Sequence, residues 1–193
     1  MSKILVIAPH PDDETLGCGG TLFRQRKEGD LLYWMIVTCI SKDSGWRAKT
    51  VKKRETEIEA VENIYMFEDV FHFSLPTTKI DTLPISLLIE KITDIYKKIE
   101  PEIIFMPFAY DLHTDHQVVA KALQSTFKWF RYPCIKKVLM YETPSETDFN
   151  FFEKRVFRPS VFIDISEYLD DKIEAMTIYK TEMNEFPFPR SEK

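Results

Sequence analysis

The apolar runs of this chain are short, and helical periods separate them. Residues 4–8 are apolar throughout and predict a fully buried strand. Residues 15–27 follow with helical spacing, turning Leu16, Leu22 and Phe23 inward until Gly29-Asp30 stops the helix. A second buried strand is expected at 31–40, rich in β-branched and aromatic residues, then a loop at 41–46. A charged helix at 50–65 presents Ile58, Val61 and Ile64 on one face. A short strand at 70–73 and a connection at 76–82 lead to a helix at 84–99, with Pro84 in its first turn. The strand 103–106 lies between Pro101 and Pro107. A helix at 115–132, a strand at 136–141, a further strand at 161–165 and a helix at 166–180 capped by Ser166 complete the pattern. Residues 145–158 lack a helical period and read as a hairpin arm or a long loop.

Strands that are apolar on both sides belong to a sheet covered on both faces. Their alternation with helices implies parallel pairing and right-handed crossovers. The expected fold is therefore α/β: a single-domain three-layer α/β/α sandwich with a mostly parallel, Rossmann-like sheet. The domain is expected over residues 1–181. Residues 182–193, which carry Pro187 and Pro189, are expected to form a tail that leaves the compact body. In such sheets ligand sites lie beyond the carboxyl ends of the strands.

Composition narrows the partners. A net charge of −5 points away from nucleic acid, and the basic run from Arg47 to Arg54 reads as a solvated helix start. Three cysteines without a CxxC pair suggest neither a zinc ribbon nor a disulfide framework. Cys39 reads as core, and Cys18 as a small buried thiol rather than a ligand. No run reaches the roughly 20 apolar residues of a membrane span, and no signal peptide is visible. A cytoplasmic location is the expectation.

Two clusters stand out against this background. Directly after the first strand comes Ala8-Pro9-His10-Pro11-Asp12-Asp13-Glu14, and after the 103–106 strand comes His113-Thr114-Asp115-His116. So many ionisable groups are costly to desolvate together unless a cation compensates them. Three of the chain's four histidines lie in these clusters; the fourth, His72, sits in an aromatic strand and reads as structural. His10, Asp13 and His116 would make a three-ligand metal site with room for water, as catalytic zinc requires. Fe2+ suits two histidines and one aspartate as well as Zn2+ does. Asp12 is the candidate general base. His113, as imidazolium, would stabilise an oxyanion. Glu14 and Asp115 would orient imidazoles, and which carboxylate serves which histidine is left open.

Residues 4–22, with Pro9-His10-Pro11-Asp12-Asp13-Glu14 and Gly17-Cys18-Gly19-Gly20, resemble the first motif of the PIG-L/LmbE family of zinc-dependent N-deacetylases. Asp111-Leu112-His113-Thr114-Asp115-His116 is similar to that family's second motif. Phe162-Ile163-Asp164-Ile165 followed by Lys172 resembles a segment near its last helix. The resemblance implies removal of acetyl groups from N-acetylglucosamine-type conjugates. It implies His10, Asp13 and His116 as zinc ligands, Asp12 as base and His113 as electrophile. It also implies Arg54 as a substrate contact, and a possible homo-oligomer, trimer or hexamer. Trp46 and Tyr110 are candidates to line the sugar pocket.

The chain departs from the family in two places. Tyr65-Met66 stands where members often carry Leu-Gly. The family's later helical segment with an Arg-Gly motif has no counterpart in these 193 residues, which leaves one pocket wall unspecified. Two rival readings are a nucleotide-binding module using Gly17, Gly19 and Gly20, and a family-like fold that binds a sugar or nucleotide without turnover.

Overall fold

The run Ile4 to Ala8 is the middle of the sheet because both of its sides can be buried. Val6 and Ala8 pack on one face and Leu5 and Ile7 on the other. The computed structural model describes residues 1–149 and 155–191. In it β1 (Lys3–Ala8), β2 (Leu31–Cys39), β3 (Asp69–Pro76), β4 (Ile103–Pro107) and β5 (Lys137–Tyr141) form one sheet in the order β3-β2-β1-β4-β5. Every adjacent pair is parallel. Helices α1 (Asp13–Lys27), α2 (Ala48–Tyr65), α3 (Ile85–Ile99), α4 (Thr114–Gln124) and α5 (Leu169–Ile178) supply the outer layers. Leu22, Val61, Tyr65 and Tyr179 from α1, α2 and the end of α5 fill one side of the sheet, around Trp34. Leu88, Ile92, Tyr96, Val119 and Leu123 from α3 and α4 fill the other. This is the three-layer sandwich expected from the sequence.

The strand order reverses at β1. The chain moves outward through β2 and β3, then returns to place β4 on β1's other side. A crevice opens at such a switch point beyond the strands' carboxyl ends. The turn after β1 and the loop after β4 both empty into it, which brings residues 10–14 and 111–116 together.

Three expected features are corrected. Residues 161–165 form no strand. Their backbone is spent on α1 instead: Asp164 O accepts from Arg24 Nη1 at 3.1 Å, and Ile165 packs against Gly20. The Asp164 carboxylate then caps Ser166 N and Oγ at 3.0 and 2.6 Å, starting a 3-10 turn at Ser166–Tyr168 ahead of α5. Helix α4 ends at Gln124 rather than near Tyr132, where Ser125 and Thr126 hydroxyls fold back onto Lys121 O and Leu123 O. The tail from Glu182 does not leave the body. It returns to the crevice, and Arg190 meets Asp12 there. Of the loop expected at 145–158, residues 150–154 lie outside the described residues. Among the described residues no helix is long and apolar enough to cross a membrane.

Candidate active site

The turn after β1 is built by its own side chains. Asp13 Oδ2 accepts from His10 N at 2.8 Å, and Glu14 Oε2 accepts from Asp12 N at 3.1 Å. Asp12 adopts φ 136°, a region that residues with a side chain rarely enter. Its carbonyl accepts from Thr15 N and Leu16 N, which starts α1. The carboxylates of residues 12, 13 and 14 consequently diverge.

Asp13 faces the histidines. Its Oδ2 lies 3.3 Å from His10 Nδ1 and 3.2 Å from His116 Nε2, and those two nitrogens are 3.3 Å apart. A tetrahedral ion with bonds of about 2.0–2.1 Å needs ligand separations of about 3.3–3.4 Å, so this triangle has the right size. Asp13 Oδ1 is buried with no hydrogen-bond partner among the described residues. Two nitrogens and a carboxylate oxygen converging on one point, with a second oxygen orphaned, is a donor set that fits a divalent cation.

The outer nitrogens of both rings are held. His116 Nδ1 lies 2.8 Å from Asp111 Oδ2, and Asp111 Oδ1 accepts from Thr147 Oγ1 at 2.7 Å. His10 Nε2 lies 3.0 Å from Asp115 Oδ2, which also accepts from Thr78 N at 2.7 Å. Each ring thus presents its other nitrogen to the centre. A second grouping of His10, His113 and Asp115 is also close-set. Most of its atoms are engaged: His113 Nδ1 accepts from Asp115 N at 3.1 Å and Asp115 Oδ2 holds His10 Nε2 and Thr78 N, while Asp115 Oδ1 is buried with no hydrogen-bond partner among the described residues.

Burial and charge set the protonation pattern. Burial lowers the His10 and His116 pKa values, but the carboxylates raise them further, to about 9 and about 10. Asp13 is driven well below the usual carboxylate range by His116 and His10, against its burial. Burial and the Asp13 charge push Asp12 up, and Arg190 pulls it back. For His113, burial and the two other histidines depress the pKa to about 4. The geometry favours a neutral ring over the expected imidazolium: Nδ1 accepts from Asp115 N, which leaves the ring proton on Nε2.

Among the other expected residues, Asp115 lies beside His10, but Glu14 meets no imidazole. Glu14 Oε1 accepts from Thr15 Oγ1 at 2.6 Å and from Tyr179 OH at 2.8 Å, so it braces the turn and the last helix. Cys18 is buried, with Sγ donating to Glu14 O at 3.3 Å. His72 lies on β3, outside both groupings of possible metal ligands.

A cavity of about 430 Å³ opens over the site, within the range of small-ligand pockets. Arg54 and Trp46 border it. So does Cys39, which the sequence placed in the core. Tyr110 is not in the lining; its ring packs on Phe108 and under the Arg155 guanidinium. Arg54 spends its donors within the chain, on Pro11 O, Thr181 Oγ1 and Glu182. Gly17, Gly19 and Gly20 do not cradle a phosphate. A Cβ at each would collide with Tyr141, Tyr65 or Ile165, so these glycines serve close packing within α1.

Sequence reasoning missed Asp111, although the residue stood inside a quoted motif. Its spacing of five from His116 carries no signal, because the loop between them sets the contact. Glu146 and Arg190, which also line the cavity, were missed because each arrives from a distant loop.

Known proteins share this arrangement's sequence and fold. The uncharacterized deacetylase YaiS of Escherichia coli K12 is 28% identical over 184 residues, covering 92% of this chain and 90% of that protein. The diacetylchitobiose deacetylase of Thermococcus kodakarensis is 26% identical over 203 residues, covering 97% and 71%. The solved N,N'-diacetylchitobiose deacetylase of Pyrococcus horikoshii superposes with a TM-score of 0.72 at 19% identity, covering 93% of this chain and 70% of that one. The family described as PIG-L, GlcNAc-PI de-N-acetylase, matches residues 5–127, a span that includes most of β1, all of β4 and both histidine clusters, and the chain belongs to that family.

Proposed function

We propose that this chain is a zinc-dependent hydrolase that removes the acetyl group from an N-acetylated amino sugar, an N-acetylglucosamine-type conjugate. The observation that carries the reading is the triangle of His10 Nδ1, Asp13 Oδ2 and His116 Nε2 at 3.2–3.3 Å, of which His10 lines one cavity together with Asp12 and His113. Membership of a de-N-acetylase family supports the amide as the bond broken.

His10, Asp13 and His116 would hold Zn2+, with Fe2+ as the alternative ion. When bound, the ion lowers the pKa of a water to about 7 and polarises the carbonyl. Asp12 takes the proton from the attacking water and returns it to the departing amine. It is the carboxylate that faces the cavity while Asp13 faces the histidines. His113 donates from Nε2 to the carbonyl oxygen as that oxygen gains charge, a contact that strengthens toward the transition state. Asp111 and Asp115 keep the imidazoles aimed. Arg54 secures the cavity wall through Pro11 O and Thr181.

Acetate release from a panel of N-acetylglucosaminyl conjugates by the zinc-loaded protein is the test. Asp12→Asn should lower kcat by at least about 100-fold while stoichiometric zinc stays bound. Wild-type turnover in that variant would overturn the role of Asp12. Failure of the wild type to release acetate from every conjugate would overturn the deacetylase reading.

A further inference from the structure

We propose that Glu182 sets the substrate class, by neutralising the cavity's two arginines so that the site takes a neutral, hydroxyl-rich conjugate and disfavours an anionic one. Beyond the histidines, the lining carries two guanidiniums, Arg54 and Arg190, and three carboxylates, Asp12, Glu146 and Glu182. Glu182 bridges the pair. Its Oε1 accepts from Arg54 Nη2, and its Oε2 accepts from Arg190 Nη1 at 2.9 Å. The other donors of Arg190 reach Asp12 Oδ2 at 2.7 Å, Ser145 Oγ at 2.9 Å and Glu146 Oε1 at 3.4 Å. Glu57 Oε2 lies 3.3 Å behind Arg54 Nε.

An arginine recognises a phosphate or carboxylate by offering a forked pair of N–H donors. Here both forks are closed by the chain's own acceptors. A short anionic aglycone would meet one more carboxylate than guanidinium and would have to displace a charge-assisted bond to gain a partner. A sugar or other polyol meets a different surface. Thr50, Thr77 and Thr78 line the wall, the carboxylates can accept hydroxyl protons, and the half-exposed Trp46 offers a flat apolar face. Arg47 and Lys49, near the start of α2, are exposed and outside the lining, where water and salt screen them.

The assay rests on the deacetylase reading, but the cavity's charge balance does not. A matched pair of substrates tests it: 2-hydroxyethyl and carboxymethyl N-acetyl-β-glucosaminide, with kcat/KM for acetate release from each by the zinc-loaded full chain. The wild type should favour the neutral member by at least about tenfold. Glu182→Gln should shrink or reverse that ratio by at least about tenfold, because it removes the one carboxylate that both arginines share and leaves the lining with as many guanidiniums as carboxylates. Glu146→Gln, which removes a carboxylate that touches Arg190 alone and at the longer distance of 3.4 Å, should move it the same way by less, and it serves as the second reading if Glu182→Gln melts early. A wild type that prefers the anionic member or shows no preference overturns the proposal. So does a ratio that stays put in both variants. If neither these substrates nor any conjugate of the panel releases acetate, the deacetylase reading fails. Dissociation constants for the same pair then decide the cavity's charge preference, with tighter neutral binding supporting it and equal or tighter anionic binding overturning it.

Discussion

Asp111→Ala isolates the outer support of His116, a proposed metal ligand, from the ligand itself. Asp111 is fully buried and its carboxylate makes two contacts: Oδ2 to His116 Nδ1 at 2.8 Å and Oδ1 to Thr147 Oγ1 at 2.7 Å. Alanine leaves Nδ1 without its acceptor, so neither the tautomer nor the ring plane is imposed, and Nε2 loses its fixed aim. Removing such a partner lowers metal affinity about 10–100-fold, which corresponds to about 1.4–2.7 kcal/mol. The Thr147 hydroxyl, itself buried, also loses its acceptor, and an unmade buried hydrogen bond costs about 1–3 kcal/mol of stability. Asp111→Asn separates the two effects. A carboxamide oxygen can still accept from His116 Nδ1, and its NH2 can donate to Thr147 Oγ1, so affinity should fall by less than about tenfold. Zinc dissociation constants come from competition with a chromophoric chelator at neutral pH, and thermal melting of the metal-free proteins reports folding. An Asp111→Ala protein that melts cooperatively and binds zinc within about twofold of wild type would refute the aiming argument.

Zinc removal should itself destabilise the fold. An ion at about 100 times its Kd adds about 2.7 kcal/mol, and a chain of this size shifts by about 2–4 °C per kcal/mol. Chelation should therefore lower Tm by about 5–10 °C, and an unchanged melt would argue against a resident metal. Gly17→Ala should destabilise by about 1–3 kcal/mol in denaturant unfolding. Its Cβ would lie 2.2 Å from the Tyr141 ring, whose hydroxyl is tied to Ile7 O at 2.7 Å and cannot simply swing away. Lys172→Met should cost about 1 kcal/mol, because Lys172 Nζ donates to Leu16 O at 2.8 Å beside the kink of α1 at Cys18. Equal stability in urea would show that bond to be idle.

The parts of the fold that were legible are those whose signal is local. Residues 4–8 announce a central strand because no polar side chain interrupts them. The two histidine clusters announce themselves because ionisable groups rarely crowd next to such a run. What failed depended on partners far away in sequence. Residues 161–165 have strand composition, yet a strand also needs a free neighbouring edge. Here Arg24 takes the Asp164 carbonyl and Gly20 admits the Ile165 side chain, so the segment docks on a helix. The tail carries two prolines and few apolar residues, and nothing local says that Arg190 will find Asp12 across 178 positions. Glu14 was misassigned for a different reason. Its neighbour Asp13 faces the histidines, but a three-carboxylate turn cannot aim all its members at one point.

That divergence explains how the densest charge in the chain is tolerated. Asp12 holds a backbone conformation that costs a residue with a side chain about 1–3 kcal/mol. The strain persists because the surroundings over-determine it. Glu14 takes the Asp12 N–H, Asp13 takes the His10 N–H, and Arg54 Nη1 takes the Pro11 carbonyl at 3.0 Å. The twist separates the carboxylates, so that Asp12 meets Arg190, Asp13 meets the two histidines and Glu14 meets Tyr179. Each negative charge gains its own partner, and of the three only Asp13 keeps a buried oxygen with no hydrogen-bond partner among the described residues. Glycine at position 12 would relieve the strain at the cost of the carboxylate, so a residue that is awkward for the backbone stands where the proposed chemistry needs its side chain. If that account is right, Asp12→Gly should melt no lower than Asp12→Ala and should turn over no faster. An Asp12→Gly protein less stable than Asp12→Ala would show that the turn is not strained at all.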